Sequence, residues 1–403
     1  MGPTRWMCAP SKRALADDLC SEAEDRVKAM SSAERLRAAL RREPVDRVPV
    51  APDISMMLPA RYTGRPFWDV FFNETPPLWQ AIIDLTGRFG FDHLQGWGGT
   101  IEGDAPGVTK ETAVLSRTDE AWQVLETTHT PHGDLTLIRR YARGQSPWTE
   151  KPILADPDQE VDALLSTLPD PSSFRLAPWY PAAASALGDR GLTCSVLSVP
   201  LAWWMYQRVD LQAGLYDFYD RTALVERALA AYGAWALHMV EAICRLQQPG
   251  LLMFGGSVSS MSVVSPDLYR RYAYPWLRKA CQIAAGRGVP TAVHMCGKCR
   301  AALDMVVDAG VTMIEPLERP PSGDITLAEA RQRYGAHVVL KGNVNTFETL
   351  AWGTPEQVHA EARRCIADAG EIGFILSSGD QVPGNTPEVN FRALIDAVQT
   401  EGA

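Results

Sequence analysis

The chain lacks any run of about 18 apolar residues, the length a helix needs to cross hydrocarbon, so no membrane span is expected. Its opening, MGPTRWMCAPSKRALADD, lacks the apolar stretch of a secretory signal. There is no positive excess either: 39 Lys and Arg face 48 Asp and Glu, a formal net charge of -9. Nucleic acids and anionic membranes are recruited by basic patches, so both are poor partners. The eight cysteines are scattered rather than grouped as in a small disulfide scaffold. Free thiols and a cytoplasmic setting are therefore expected. A phosphate-cradling glycine loop is also missing: GGS at 255–257 is short and lacks the flanking pattern. No internal repeat or low-complexity tract stands out.

What is present is a large core. Hydrophobic residues make up 46% and charged residues 22% of 403 residues, ample for a folded enzyme-sized domain. Residues 1–30 read as a disordered leader. Ser31 and Glu34 then form a capping-box pattern that opens a helix. Apolar strand-like runs follow at 47–54, 93–99, 193–200, 251–257, 291–297, 312–318, 337–343 and 374–379. Helical stretches lie between or after them at 222–246, 266–287, 299–309, 326–334, 355–369 and 387–399. Strands alternating with helices predict a single (β/α)8 barrel over 31–403, an α/β fold of the TIM type. An insertion at about 100–190 interrupts it. Within that insertion, 112–143 alternates like antiparallel strands around a PHGD turn.

In such barrels the chemistry stands at the C-terminal ends of the strands. His294 and Cys296 in TAVHMCGKC are two apart on a strand and so face the same way. Imidazole and thiolate together suit zinc. Three residues are candidates to complete the set: Glu315 at the end of the next strand, Asp380 at the end of the last, and Cys299 at CxxC spacing from Cys296. Other strand ends carry Asp53, Trp97, Asn343 and Gln381. Arg61 and Tyr62, on a loop after Pro59, form either a surface ion pair or a clamp for a substrate carboxylate. Trp203, Trp204 and Tyr206 follow the third strand and form either core packing or a flat wall for an aromatic ligand.

Several segments together resemble the uroporphyrinogen decarboxylase superfamily. They are ERLRAALRREPVDRVPVAPD, VHMCGKCRAALDMVVDAGVTMIEPLE, VVLKGNVN and FILSSGDQVPGNTPEVNF, collinear over about 31–400. The superfamily implies a (β/α)8 barrel with two chemistries, cofactor-free decarboxylation and zinc-dependent methyl transfer. The RQAGRY-like signature of the decarboxylases is reduced here to Arg61 and Tyr62, and their HGI-like histidine segment is replaced by Gly379-Asp380-Gln381. The zinc branch is the better match. Its HxC pair corresponds to His294 and Cys296, and its last cysteine falls at Asp380. The glutamate ligand of the more distant methionine synthases corresponds to Glu315.

The resemblance thus implies a zinc-dependent methyltransferase or demethylase for a small molecule, as a homodimer. The methyl carrier would be a corrinoid or folate. No DxHxxG-type segment is present, so a corrinoid would sit on a partner protein. The alternative is a metal-independent decarboxylase of a carboxylated aromatic or pyrrolic substrate, with Arg61 on the carboxylate and Asp53 or Asp380 beside a protonated ring. A non-enzymatic corrinoid-handling protein is the third reading.

Overall fold

The computed structural model describes residues 29–54, 56–208 and 210–399. The expected leader at 1–30 therefore lies, apart from its last two residues, outside the described residues. Seven strands form one parallel sheet in chain order: Gly96–Trp97, Cys194–Ser198, Leu251–Gly255, Thr291–His294, Met313–Glu315, Val339–Val344 and Phe374–Ser378. Four of the longer ones, beginning with Leu251–Gly255, are built almost wholly of buried residues. That is the composition expected where helices cover a parallel sheet from outside.

The sheet curls. The expected strand at 47–54 is not formed as one; Val50 makes a single parallel bridge to Leu376. Its carbonyl accepts from the Asp92 amide at 2.8 Å, so this segment spans the gap between the first and last staves. Pro49 and Pro52 flank it, and prolines withhold the amides a longer ladder would use.

The helix Ser32–Leu40 closes one end of the curl. Ser31 and Glu34 cap it reciprocally, satisfying amides that a helix start leaves open. Its Ala33, Leu36, Ala39 and Leu40 pack in one cluster with Leu94, Cys194, Leu251, Ala292, Met313, Val339 and Ile375 from the staves. Arg35 anchors the helix, pairing with Asp46 at 2.7 Å and with the fully buried Asp92 at 2.6 Å. The filled end leaves the opposite, C-terminal ends of the strands for the site.

The helical stretch expected at 266–287 is two helices, Pro266–Tyr272 and Tyr274–Gly286. Pro275 is the reason: it has no amide to donate and its ring crowds the carbonyl four residues back. Arg61 and Tyr62, expected on a loop, end the short helix Met57–Tyr62. Between Gly96–Trp97 and Cys194–Ser198 lies a four-stranded antiparallel sheet: Thr109–Arg117, Ala121–Thr130, Gly133–Ala142 and Trp148–Lys151. Trp122 stacks on Trp68 at 5.3 Å and holds this sheet against the helix Phe67–Phe71. Among the described residues no helix is long and apolar enough to cross a membrane.

Candidate metal centre

The strand Thr291–His294 ends at His294, whose neighbours in register are Gly255 and Glu315. The chain then turns through Met295-Cys296-Gly297. Gly297 adopts φ +79°, and a Cβ there would lie 2.4 Å from the Ser262 hydroxyl. Only glycine tolerates both demands. Its amide donates to Glu318 at 2.6 Å, which fixes the turn that presents Cys296.

His294, Cys296 and Asp380 come together. Each offers a donor atom, and these atoms lie within 4.8 Å of one another. Asp380 follows the strand Phe374–Ser378, and its amide donates to the Thr346 hydroxyl at 2.9 Å. Its carboxylate stands 3.9 Å from His294 Nε2.

The other imidazole nitrogen is held. His294 Nδ1 lies 3.0 Å from Glu315 Oε1, and Lys341 donates to the second oxygen of Glu315. Glu315 and Lys341 are both almost completely buried. Burial alone would push the Glu315 carboxyl up; Lys341 and His294 overcome this and bring it down to about 2. An ionised carboxylate only accepts, so Nδ1 is the donor to Glu315 and Nε2 is the nitrogen turned to Cys296 and Asp380. For His294, burial disfavours the charged form, but hydrogen bonds to Cys296 and Glu315 and their charges raise its pKa well above the usual value. The group sits in a negative potential, as a cation site requires. At Asp380 burial raises the carboxyl, His294 opposes this, and Asp53 adds to it.

Glu315 is thus placed behind the imidazole rather than within the three-donor group. Cys299 also lies outside that group. Its thiol is buried, which pushes it up to about 12, and its amide and that of Arg300 donate to Asp324 at 2.9 and 3.0 Å. It is the first residue before the helix Arg300–Asp308.

A cavity of about 380 Å³ opens beside the group, lined in part by Asp53, Gln95, Tyr206, His294, Glu315 and Lys341. Asp53 and Tyr206 therefore face it. Arg61 does not: its guanidinium donates to the Gly384 carbonyl. Tyr62 packs edge-on to Phe89 at 5.6 Å, under the guanidinium of Arg88. Trp204 is fully buried in the core. Asn343 is buried and spends its amide on the Leu317 carbonyl at 2.6 Å. Gln381 follows Asp380 in the half-buried loop after the last strand. Trp97 lines a second, larger cavity that shares Met56, Gly96, Val196 and Ser198 with the first.

Lys341 and Gln95 are recognisable as strand-end residues in the sequence but were not among the site residues expected from it. Both stand at strand ends, and Lys341 sits two residues before Asn343, so strand alternation was the available signal. What it could not supply was the partner: a buried lysine requires a carboxylate, and Glu315 is the one in reach.

A family model described as uroporphyrinogen decarboxylase (URO-D) matches residues 141–401. A methylcobamide:CoM methyltransferase, MtaA, of Methanosarcina barkeri is 27% identical over 224 residues, 55% of this chain and 59% of that protein. A uroporphyrinogen decarboxylase of Pelodictyon phaeoclathratiforme is 28% identical over 148 residues, 35% of this chain and 40% of the other. The chain thus spans about 59% or less of the length of these relatives. Among solved structures, a methyltransferase from Methanosarcina mazei superposes with a TM-score of 0.60 at 19% identity, covering 91% of this chain and 98% of its own. That likeness is one of fold.

Proposed function

The chain belongs to the uroporphyrinogen decarboxylase family, and from that footing we propose that it is a zinc-dependent methyltransferase or demethylase acting on a small molecule. The observation that carries this is the convergence of His294, Cys296 and Asp380 within 4.8 Å. An imidazole, a thiol and a carboxylate are a donor set that suits zinc, with a fourth position left for substrate. The negative potential that favours a charged His294 suits the same ion. The curled sheet is read as a TIM-like barrel, with 48–51 as its eighth stave.

The chemistry that zinc supplies when bound is Lewis acidity, which lowers the pKa of a nucleophile at the open position. The chain's own residues prepare that position. Glu315 holds Nδ1, so Nε2, once it gives up its proton, would be the nitrogen that ligates zinc, and Lys341 fixes Glu315 in turn. By the resemblance of SGDQVPGNTP, Asp380 takes the place of a second thiolate of the zinc methyltransferases. A carboxylate is harder and donates less charge, so the site suits an oxygen- or nitrogen-centred substrate better than a thiol. Asp53 and Tyr206 line the adjoining cavity and would contact that substrate. The methyl carrier is a corrinoid on a partner protein or a folate. A relative named as a methylcobamide:CoM methyltransferase supports the corrinoid.

Metal analysis of mildly purified protein tests this. About one equivalent of zinc is expected, lost in His294→Ala and Cys296→Ala. Less than about half an equivalent in the wild type sinks the reading. Carbon dioxide release from a carboxylated substrate, indifferent to chelator and retained in His294→Ala, would establish the decarboxylase instead.

A further inference from the structure

The filled end of the curled sheet carries a cavity of its own, of about 590 Å³, a volume suited to an organic molecule. Leu192, Thr193, Gly250, Thr291 and Thr312 line it. Each stands within two residues of the start of a strand. The cavity therefore lies at the N-terminal ends of the strands, away from His294, Cys296 and Asp380. Arg37 and Leu40 of the helix Ser32–Leu40, with Arg41 at its C-cap, form one wall. We infer that this cavity is a second binding site, which takes a monoanionic aliphatic carboxylate. The alkyl chain lies on the cavity floor and the head group on Arg37. The inference goes beyond the proposed methyl transfer and does not rest on it.

Charge selects the head group. Among the described residues no Asp, Glu, Lys or His lines the cavity, and the charged groups in its wall are Arg37 and Arg41. They are four residues apart, so they share a helix face. Arg41 is already engaged: its guanidinium donates to both oxygens of Glu43, at 2.9 and 2.7 Å. The Arg37 guanidinium has no hydrogen-bond or ion-pair partner among the described residues. A guanidinium pairs with a planar carboxylate through two parallel N–H donors. With Glu43 balancing Arg41, one positive charge is left, which matches one carboxylate better than a doubly charged phosphate. Nothing comparable answers a cation. The Ala284 and Ala285 carbonyls, at the end of the wall helix Tyr274–Gly286, already accept from the Arg287, Gly288 and Val289 amides.

The floor selects the rest of the molecule. Leu40, Leu187, Leu192 and Val289 line it and are buried. Among the described residues no Phe, Tyr or Trp is in the wall. Without a ring to stack on, a flat ligand gains nothing over a flexible one. An alkyl chain follows such a surface, and each methylene removed from water adds to binding. An inorganic anion would answer Arg37 but leave this floor bare. The mouth is open: a Cβ built at Gly188, Gly288 or Gly310, all of which line the cavity, meets nothing within 4 Å. The space is thus reachable from solvent and is no packing fault sealed in the core.

Arg37 and Ala285 give two independent tests. Both line the cavity and both are exposed, so changing them leaves the core untouched. Titration calorimetry with decanoate on the full chain should show saturable binding. Arg37→Glu, which reverses the charge, and Ala285→Phe, which fills the space, should each weaken it at least tenfold. Acetate has the head group without the chain, and decyltrimethylammonium has the chain with the opposite charge. Each should bind at least tenfold more weakly than decanoate. Removing zinc with a chelator should leave decanoate binding intact, because the cavity lies away from His294. If Ala285→Phe does not fold, Arg37→Glu decides the matter. Four results would overturn the assignment: no saturable decanoate binding, equal binding of decyltrimethylammonium, loss of binding with zinc, or wild-type affinity in either folded variant. The last would place decanoate in the aromatic chamber lined by Trp97 and Trp203 instead.

Discussion

Glu315 joins two groups of different kind: an imidazole that must keep one nitrogen free, and a buried ammonium. Its removal therefore has two separable effects. Glu315→Gln leaves all three donors of the metal group in place but loosens the tautomer and orientation of His294. Zinc affinity should fall about 10–100-fold, measured by competition with a chromophoric chelator. An unchanged affinity would mean that Nδ1 is held by something else. The same carboxyl governs acid stability. Its folded pKa is lowered to about 2, with burial opposing and Lys341 and His294 prevailing, below an unfolded value of about 4.3. A lowered folded value means that the unfolded chain takes up the proton first. The contribution is thus complete above about pH 4.3 and lost as pH falls toward 2. Urea midpoints of the wild type should fall through that window more steeply than those of Glu315→Gln. Parallel slopes would refute the assignment. Residue by residue, the sequence showed which side chains stand at the strand ends but not which faces meet. His294 and Cys296 were legible as a pair, but not for the reason the sequence suggested: the strand expected to carry both ends at His294, and the turn at Gly297 presents Cys296. Glu315 was read as a ligand, whereas its place behind Nδ1 depends on where the imidazole turns. Trp203 and Trp204 lie in the helix Pro200–Gln207. Neighbours on a helix point about 100° apart, and only the tertiary packing decides that Trp203 meets the chamber and Trp204 the core.

At the scale of elements, the helix Ser32–Leu40 shows how a short segment supports a site it never touches. It fills the end of the curled sheet opposite His294, and its apolar face meets residues from successive staves. Burying Leu36 alone contributes roughly 1.5–3 kcal/mol. The Ser31 hydroxyl accepts from the Glu34 amide, and the Glu34 carboxylate accepts from the Ser31 amide at 2.8 Å. Ser31→Ala removes half of that box and should cost about 0.5–2 kcal/mol in equilibrium denaturation. A loss near zero would mean that tertiary packing alone sets the helix start. Arg35→Met is a harsher change. Asp92 is fully buried and would keep only Arg47, at 3.0 Å, and the Val50 amide, at 2.9 Å, as partners. Stripping one partner from a buried ion pair costs about 3–5 kcal/mol, and the same assay should place this variant well below Ser31→Ala. Elements with strong punctuation were legible. The stretch at 222–246 forms the helix Thr222–Leu246, and that at 355–369 forms Pro355–Ala369 behind Thr354. The segment at 47–54 was over-read as a strand. Its apolar run is real, but its prolines reduce the ladder to the bridge at Val50.

For the whole molecule, the filled end and the metal group are separate devices, and this separation is testable. The cap at Ser31 and the group at His294, Cys296 and Asp380 share no hydrogen-bond partner. Perturbations of the two should therefore add. A ligand that binds only the folded state stabilises it by RT ln(1 + [L]/Kd), which is about 2.7 kcal/mol at a free concentration 100 times Kd. Zinc buffered at that level should raise the unfolding free energy of the wild type and of Ser31→Ala by the same increment, each measured against its own zinc-free sample. In His294→Ala the increment should vanish at the same zinc concentration. There the thiol and the carboxylate remain, but the nitrogen that Glu315 aims is gone. Glu315→Gln should fall between these cases: a Kd raised tenfold at the same zinc concentration leaves about 1.4 kcal/mol. An increment that survives in His294→Ala would place the ion elsewhere on this acidic surface. An increment that shrinks in Ser31→Ala would mean that the two ends of the molecule are coupled through the staves between them.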